Sequence, residues 1–155
     1  MKALIPGSFD PVTNGHVELV KKAAAMFDTV TVGIFVNPDK TYLFSEAERY
    51  EMLSEAIKDI DNASAALCSG YVADYCKEHG IGVIAKGVRN TTDYEYEAEM
   101  ARYNKNRNPD ADTVLLFADS EMAGISSSAV RKMHSEGGDV KGIVPECVYK
   151  KITNK

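Results

Sequence analysis

At 155 residues, 45% hydrophobic and 26% charged, the chain has the size and make-up of one soluble domain, residues 1–155, around a single buried core. Its net charge of −5 argues against long nucleic acid as a partner, because that affinity comes mostly from clustered Lys and Arg; a few cations in one cleft can still hold a nucleotide. No apolar stretch approaches bilayer length and the N-terminus lacks the features of a signal peptide, so the expectation is a cytoplasmic protein with no membrane partner.

Strand and helix patterns alternate along the chain. Ala3, Leu4 and Ile5 form an apolar run that reads as a buried strand stopping at Pro6-Gly7. After a polar loop, Thr13-Asn14-Gly15-His16 opens a helix in which Val17, Val20, Ala23, Ala24 and Phe27 share one face. Residues 29–36 are rich in β-branched side chains and suit a buried parallel strand. Ser45-Glu46-Ala47-Glu48 has the form of a capping box, opening a helix with Leu53, Ala56, Ile57 and Ile60 on one side. A weaker strand at 65–68 precedes a helix at 71–79, closed by Gly80. A short strand at 82–85 ends at Lys86. Thr92-Asp93-Tyr94-Glu95 reads as a second capping box, for a helix acidic early and basic late. Residues 113–118 form the last strand, Ser126-Ser127-Ser128 starts a helix reaching His134, and Pro145 suits the first position of a final helix.

This alternation implies an α/β fold, a Rossmann-like, doubly wound, parallel five-stranded sheet with helices on both faces. Ligands of such sheets sit at the carboxyl ends of strands. The loops at 7–14, 37–44, 86–92 and 119–126 each follow a strand and are expected to meet in one cleft. Cys68, Cys76 and Cys147 are odd in number and lack metal-ligand spacing, so they read as free thiols.

The most informative stretch is Pro6-Gly7-Ser8-Phe9-Asp10-Pro11-Val12-Thr13-Asn14-Gly15-His16. A strand, a glycine-bearing loop and a helix N-terminus build an anion site, because unpaired N–H groups and the positive dipole end face one point. His16, in the first turn, adds a side-chain donor aimed at that anion; the alternative is a histidine that only caps or packs at the helix start. Thr13-x-Gly15-His16 resembles the histidine-x-glycine-histidine signature of the nucleotidyltransferase superfamily, with threonine for the first histidine. Four further strings follow in order and at family spacing. They are Asn37-Pro38-Asp39-Lys40, Lys86-Gly87-Val88-Arg89, Asp93-Tyr94-Glu95-Tyr96-Glu97 and Ile125-Ser126-Ser127-Ser128. Together they make nearly the full length resemble the bacterial phosphopantetheine adenylyltransferase family.

The resemblance implies reversible transfer of AMP from ATP to the phosphate of 4′-phosphopantetheine, giving dephospho-coenzyme A and pyrophosphate, a step of coenzyme A biosynthesis. The attack is in line, with no covalent enzyme intermediate, and the acceptor phosphate is its own nucleophile. The protein then has to supply alignment and charge compensation.

By the same resemblance His16 stabilises the transition state at the α-phosphate, with Ser8, Lys40, Arg89 and Ser127 completing the catalytic set. Ser8, a threonine in the family's usual form, orients the incoming phosphate, with the Ser8-Phe9 backbone near ATP. Lys40 binds the acceptor phosphate or bridges to the nucleotide. Lys86 stands where the family usually has arginine, and keeps the charge without the bidentate fork. Val72 matches a position on the pantetheine arm, and plain core packing accounts for it equally well. Gly87, Val88 and Arg89 cradle ATP, with Arg89 on the β- and γ-phosphates. Glu97 contacts the nucleotide or is an ordinary acidic residue of an early helix turn.

Met122, Ala123, Gly124, Ile125, Ser126, Ser127 and Ser128 close over the adenine and polyphosphate, unless the three serines are no more than an N-cap. Segment 119–124 departs from the family wording. No residue cluster has the spacing of a protein metal site, so magnesium is expected to arrive on the ATP phosphates. The family also implies a homohexamer, a dimer of trimers. Two other readings stay open on these residues. One is a sister nucleotidyltransferase acting on nicotinate mononucleotide or glycerol 3-phosphate; the other is a nucleotide-binding module without catalysis.

Overall fold

The computed structural model describes residues 1–155. Strands β1 (Lys2–Gly7), β2 (Thr29–Phe35), β3 (Ala63–Cys68), β4 (Val83–Val88) and β5 (Asp112–Phe117) alternate with helices α1 (Asn14–Met26), α2 (Glu46–Ile57), α3 (Val72–His79) and α4 (Thr91–Arg107); α5 (Ser127–Ser135) and α6 (Glu146–Ile152) follow. All neighbouring strands are parallel, in the order β3-β2-β1-β4-β5. This is the five-stranded parallel α/β sheet that the alternation implies.

The two-residue period of the strands sorts the core into two layers. Ala3, Ile5, Val30, Val32, Ile34, Val83 and Ala85 face a core completed by Val20 of α1, Leu53 of α2, Val130 of α5 and Val148 of α6. Leu4 and Ile84, out of phase by one, face the other way and meet Cys76 of α3 with Ile81 and Ala111. Each fully buried aliphatic side chain contributes roughly 1.5–3 kcal/mol, so the register of the sheet is firmly set. No helix is long and apolar enough to cross a membrane.

The element ends differ from the sequence expectation where a neighbouring strand or cap decides them. β1 ends at Gly7, as expected, with Pro6 inside the ladder: it pairs with β2 through Pro6–Gly33 and Gly7–Ile34. On its other side β1 pairs with β4 only at Ala3–Val83 and Leu4–Ile84. A proline at position 6 therefore removes no ladder bond on that side. β4 continues to Val88 because β5 keeps pairing with it through Lys86–Leu115, Gly87–Leu116 and Val88–Phe117. Lys86, Gly87 and Val88 thus lie on a strand, not in the loop expected. β2 ends at Phe35 and β3 begins at Ala63.

The capping box at Ser45 and Glu48 is present, with both reciprocal bonds formed at 2.8 and 3.1 Å. The one expected at Thr92 is not. Asn90 caps α4 instead, its side chain accepting from the Asp93 N–H at 2.9 Å, while the Asp93 carboxylate accepts from the Arg89 N–H at 3.1 Å. Asn90 outcompetes Thr92 because an asparagine is as good a cap and lets the helix begin sooner. Pro145 occupies the cap position of α6, one residue earlier than expected. Gly80 closes α3 at φ 62°, a left-handed backbone that glycine adopts without strain.

Candidate active site

Beyond Leu4 and Ile84 the strands β1 and β4 part, at the point where the chain changes its winding direction across the sheet. The gap is a cavity of about 310 Å³ at the carboxyl ends of the strands, a size suited to a small ligand. Three helices present their N-termini to it. Thr13, Gly15 and His16 come from α1, Arg89 and Asp93 from the start of α4, and Ser126, Ser127 and Ser128 from α5. The termini of α1 and α5 were expected and that of α4 was not; three positive dipole ends on one cavity make a far stronger anion site than one.

His16 is held by a capping box of unusual composition. The Thr13 hydroxyl accepts from the His16 N–H at 3.3 Å, and His16 Nδ1 accepts from the Thr13 N–H at 3.0 Å. With its Nδ1 lone pair so engaged, the neutral ring carries its proton on Nε2. The ring also packs edge-on against Phe9, centroids 4.9 Å apart. Burial first, then the charges of Lys86 and Arg89, push its pKa down from 6.5 to about 4. His16 is therefore a neutral, oriented N–H donor. Capping, weighed from the sequence as the alternative to donation, occupies only Nδ1 and leaves the Nε2–H free to donate.

The loop between β1 and α1 is shaped by close packing. A side chain at Gly7 would place its Cβ 3.0 Å from the ring of Phe9, so any larger residue has to push that buried ring aside. Phe9 itself is buried and takes φ 49°. Asp10 is 2% exposed, and its carboxylate accepts from the N–H groups of Leu43 and Phe44 at 2.8 and 2.9 Å, tying the loop after β1 to the loop after β2. The Asp10 carbonyl accepts from Arg131 of α5 at 2.8 Å, and the Pro11 carbonyl from the Ser127 hydroxyl at 2.7 Å. That bond commits the Ser127 hydroxyl proton to the loop, leaving its backbone N–H, one of the orphan donors of the helix start, for a ligand.

Both cations of the β4–α4 junction have carboxylate partners on α4. Arg89 pairs with Asp93 through two bonds of 2.9 and 3.2 Å. Lys86 lies 3.3 Å from the buried Glu97, whose Oε2 has no aligned hydrogen-bond donor. Lys86 and Glu97 also line a second cavity of about 190 Å³, which reaches Ser8, Val72 and Asn104. The ion pair is thus a partition with a cavity on each side. Lys40 joins neither lining; it lies exposed on the loop after β2. Val88 is buried in the sheet, and Ala123 and Gly124 stand outside both linings, whereas Met122 and Ile125 line the larger cavity. No group of three His, Cys, Asp or Glu side chains gathers as a metal site.

Sequence reasoning overlooked Asp10, Arg131, Asn104 and Arg49. Arg49 is 2% exposed, with Nη1 donating to the Ser8 carbonyl at 2.9 Å and its guanidinium 4.0 Å over the ring of Tyr42. One signal was available, since Arg49 occupies a position three and four residues before Met52 and Leu53, on the apolar stripe of α2. Asp10 lay within the stretch Pro6–His16 already singled out, and Arg131 and Asn104 carried no signal.

A protein-family model described as cytidylyltransferase-like matches residues 4–133. A phosphopantetheine adenylyltransferase of Clostridium tetani is 44% identical over 153 residues, covering 99% of this chain and 96% of that protein. Proteins of the same name from Corynebacterium glutamicum (strain R) and Dictyoglomus turgidum are 42% and 41% identical, each over 100% of this chain and 97% of theirs. Among solved structures, a bifunctional NMN adenylyltransferase/ADP ribose pyrophosphatase from Francisella tularensis superposes with a TM-score of 0.74 over 99% of this chain and 48% of its own. At 15% identity that likeness concerns the fold alone, and this chain spans about half the length of that protein.

Proposed function

This chain belongs to the cytidylyltransferase-like family and, within it, to the phosphopantetheine adenylyltransferases; from that premise we propose that its cleft transfers the adenylyl group of ATP to the phosphate of 4′-phosphopantetheine, forming dephospho-coenzyme A and pyrophosphate. The observation that carries the reading is the convergence of three helix N-termini and a neutral histidine donor on one cavity. Such a site suits a reaction in which negative charge gathers on a phosphate and no side chain has to become a nucleophile.

ATP occupies the larger cavity as its magnesium complex, the metal shielding the phosphate charge and keeping much of its water. The acceptor lies in the smaller cavity, its phosphate toward Ser8 and Lys86 and its arm along Val72. An acceptor phosphate oxygen attacks the α-phosphorus in line, and the bond to the bridging oxygen breaks as pyrophosphate leaves with the electron pair. The attacking oxygen is already anionic, so no general base takes part. His16 donates its Nε2–H to a non-bridging oxygen as charge builds there. Arg89 turns from Asp93 to the β- and γ-phosphates, which replace a carboxylate with a denser anion. The backbone N–H groups of Ser127 and Ser128 serve the same polyphosphate. Lys40 reaches the acceptor phosphate once the loop at 37–44 folds over the smaller cavity.

The working form in this reading is a cytoplasmic homohexamer, a dimer of trimers. Exposed Leu67, Tyr71, Tyr103 and Phe117 offer apolar surface for such contacts, and sedimentation mass tests the number of subunits.

The deciding assay measures pyrophosphate and dephospho-coenzyme A formed from MgATP and 4′-phosphopantetheine. Parallel arms contain nicotinate mononucleotide or glycerol 3-phosphate. Turnover with phosphopantetheine far above the other acceptors is expected; preference for another acceptor overturns the assignment.

A further inference from the structure

We infer that Arg49, buried in α2, is a positioning residue that turns the Ser8–Phe9 peptide so that the Phe9 N–H faces the phosphates of the bound nucleotide. The inference rests on the reading of the larger cavity as the ATP site. In a trans peptide the carbonyl and the following N–H point in opposite directions. Arg49 Nη1 holds the Ser8 carbonyl at 2.9 Å, toward α2. The Phe9 N–H must then point away from α2. In the order β3-β2-β1-β4-β5, α2 packs against β3 while the larger cavity opens between β1 and β4, so α2 and the cavity lie on opposite sides of the end of β1. The Phe9 N–H finds no acceptor within the protein, and Phe9 lines that cavity.

The state of Arg49 itself fits a role beyond packing. It is the bulkiest fully buried side chain, yet no carboxylate comes within the 4.0 Å of an ion pair. Asp10, the buried carboxylate of the same region, is committed to the Leu43 and Phe44 N–H groups. Arg49 Nε is buried without any partner. A buried cation left unpaired in this way is costly, and apolar replacements of such groups are often neutral or stabilising. What the guanidinium does gain is one strong bond to a peptide oxygen and the face of Tyr42, whose own hydroxyl closes the loop by bonding Asn37. Its charge pulls on the Ser8 carbonyl and so strengthens the N–H of the same peptide as a donor.

The test compares wild type with Arg49→Met and Arg49→Lys. Inorganic tripolyphosphate affinity is read by calorimetry, kcat and KM with both substrates, and melting temperature by scanning calorimetry. We expect Arg49→Met to fold with an unchanged or higher melting temperature. Its tripolyphosphate affinity falls about tenfold and its kcat about a hundredfold, as for loss of one oriented oxyanion donor. Arg49→Lys keeps the charge but cannot both reach Ser8 and stack on Tyr42, and falls in between. Either variant folded, with affinity and kcat both within about twofold of wild type, overturns the inference. A lowered melting temperature with unchanged affinity per folded molecule overturns it too, since that is packing alone. Wild type that binds tripolyphosphate but does not turn over 4′-phosphopantetheine refutes the proposed reaction and leaves the Arg49 arm to be judged on affinity.

Discussion

Replacing His16 by asparagine separates the two tasks of the imidazole. Asparagine Oδ1 can stand where Nδ1 accepts the Thr13 N–H at 3.0 Å, so the cap survives, but nothing remains at the position of Nε2. Loss of one donor to a developing oxyanion costs about 2.7–4 kcal/mol of transition-state stabilisation, or roughly 100- to 1000-fold in kcat. The folded state loses only the edge contact with Phe9, about 0.5–1.5 kcal/mol, which lowers the melting temperature of a chain this size by roughly 1–6 °C. His16→Ala also loses the cap and drops further, by about 1 kcal/mol more. Steady-state pyrophosphate release gives kcat, calorimetry gives ATP affinity, and a thermal scan gives stability. A drop in kcat with ATP affinity kept within about threefold is the signature of a group acting in the transition state. Retained kcat, or affinity falling by the same factor, refutes the assignment, and equal melting temperatures for the two variants refute the capping argument.

The depressed pKa of His16 has a direct reading by NMR: in the free protein its ring protons stay unshifted from about pH 8 to about pH 5, and a midpoint near 6.5 would contradict the geometry. The same shift governs stability. Folded His16 stays neutral to about pH 4 while the unfolded chain takes up a proton near 6.5, so its contribution is complete above about 6.5 and drains away as pH falls toward 4. The loss is at most about 3 kcal/mol, reduced by whatever water reaches the ring. Urea unfolding of wild type should lose stability over that window more steeply than His16→Asn, and parallel curves would refute it. Lys86→Arg is expected to keep or raise turnover, since a guanidinium fork can supply the aligned donor that Glu97 Oε2 lacks. A folded but inactive Lys86→Arg would show that the partition depends on the lysine's shape.

The succession and type of the strands were legible because segments such as 29–36 are short β-branched runs of the kind a buried parallel strand needs, and that composition survives most tertiary contexts. The strand ends were not, because neighbours decide them: β4 extends to Val88 only because β5 goes on pairing there. The cleft was legible through the loop at 7–14 and the three serines, each announcing a helix start. Arg49 passed unnoticed because a lone charge on an apolar stripe is a local anomaly with no motif around it. Motif spacing likewise says nothing about where an exposed loop rests, which is why Lys40 stands apart from the cavities in this state.

The wall formed by Lys86 and Glu97 bears on which of the four reaction partners is held longest. In the proposed reaction each reactant settles on one side of it and surrenders its freedom to tumble separately, with like charges facing each other across the divide. On that same proposal the joined product would straddle it as one body, gather the contacts of both chambers, and be immobilised once. Departure of that straddling molecule, more than the making of its new bond, is therefore the natural place for the cycle to slow.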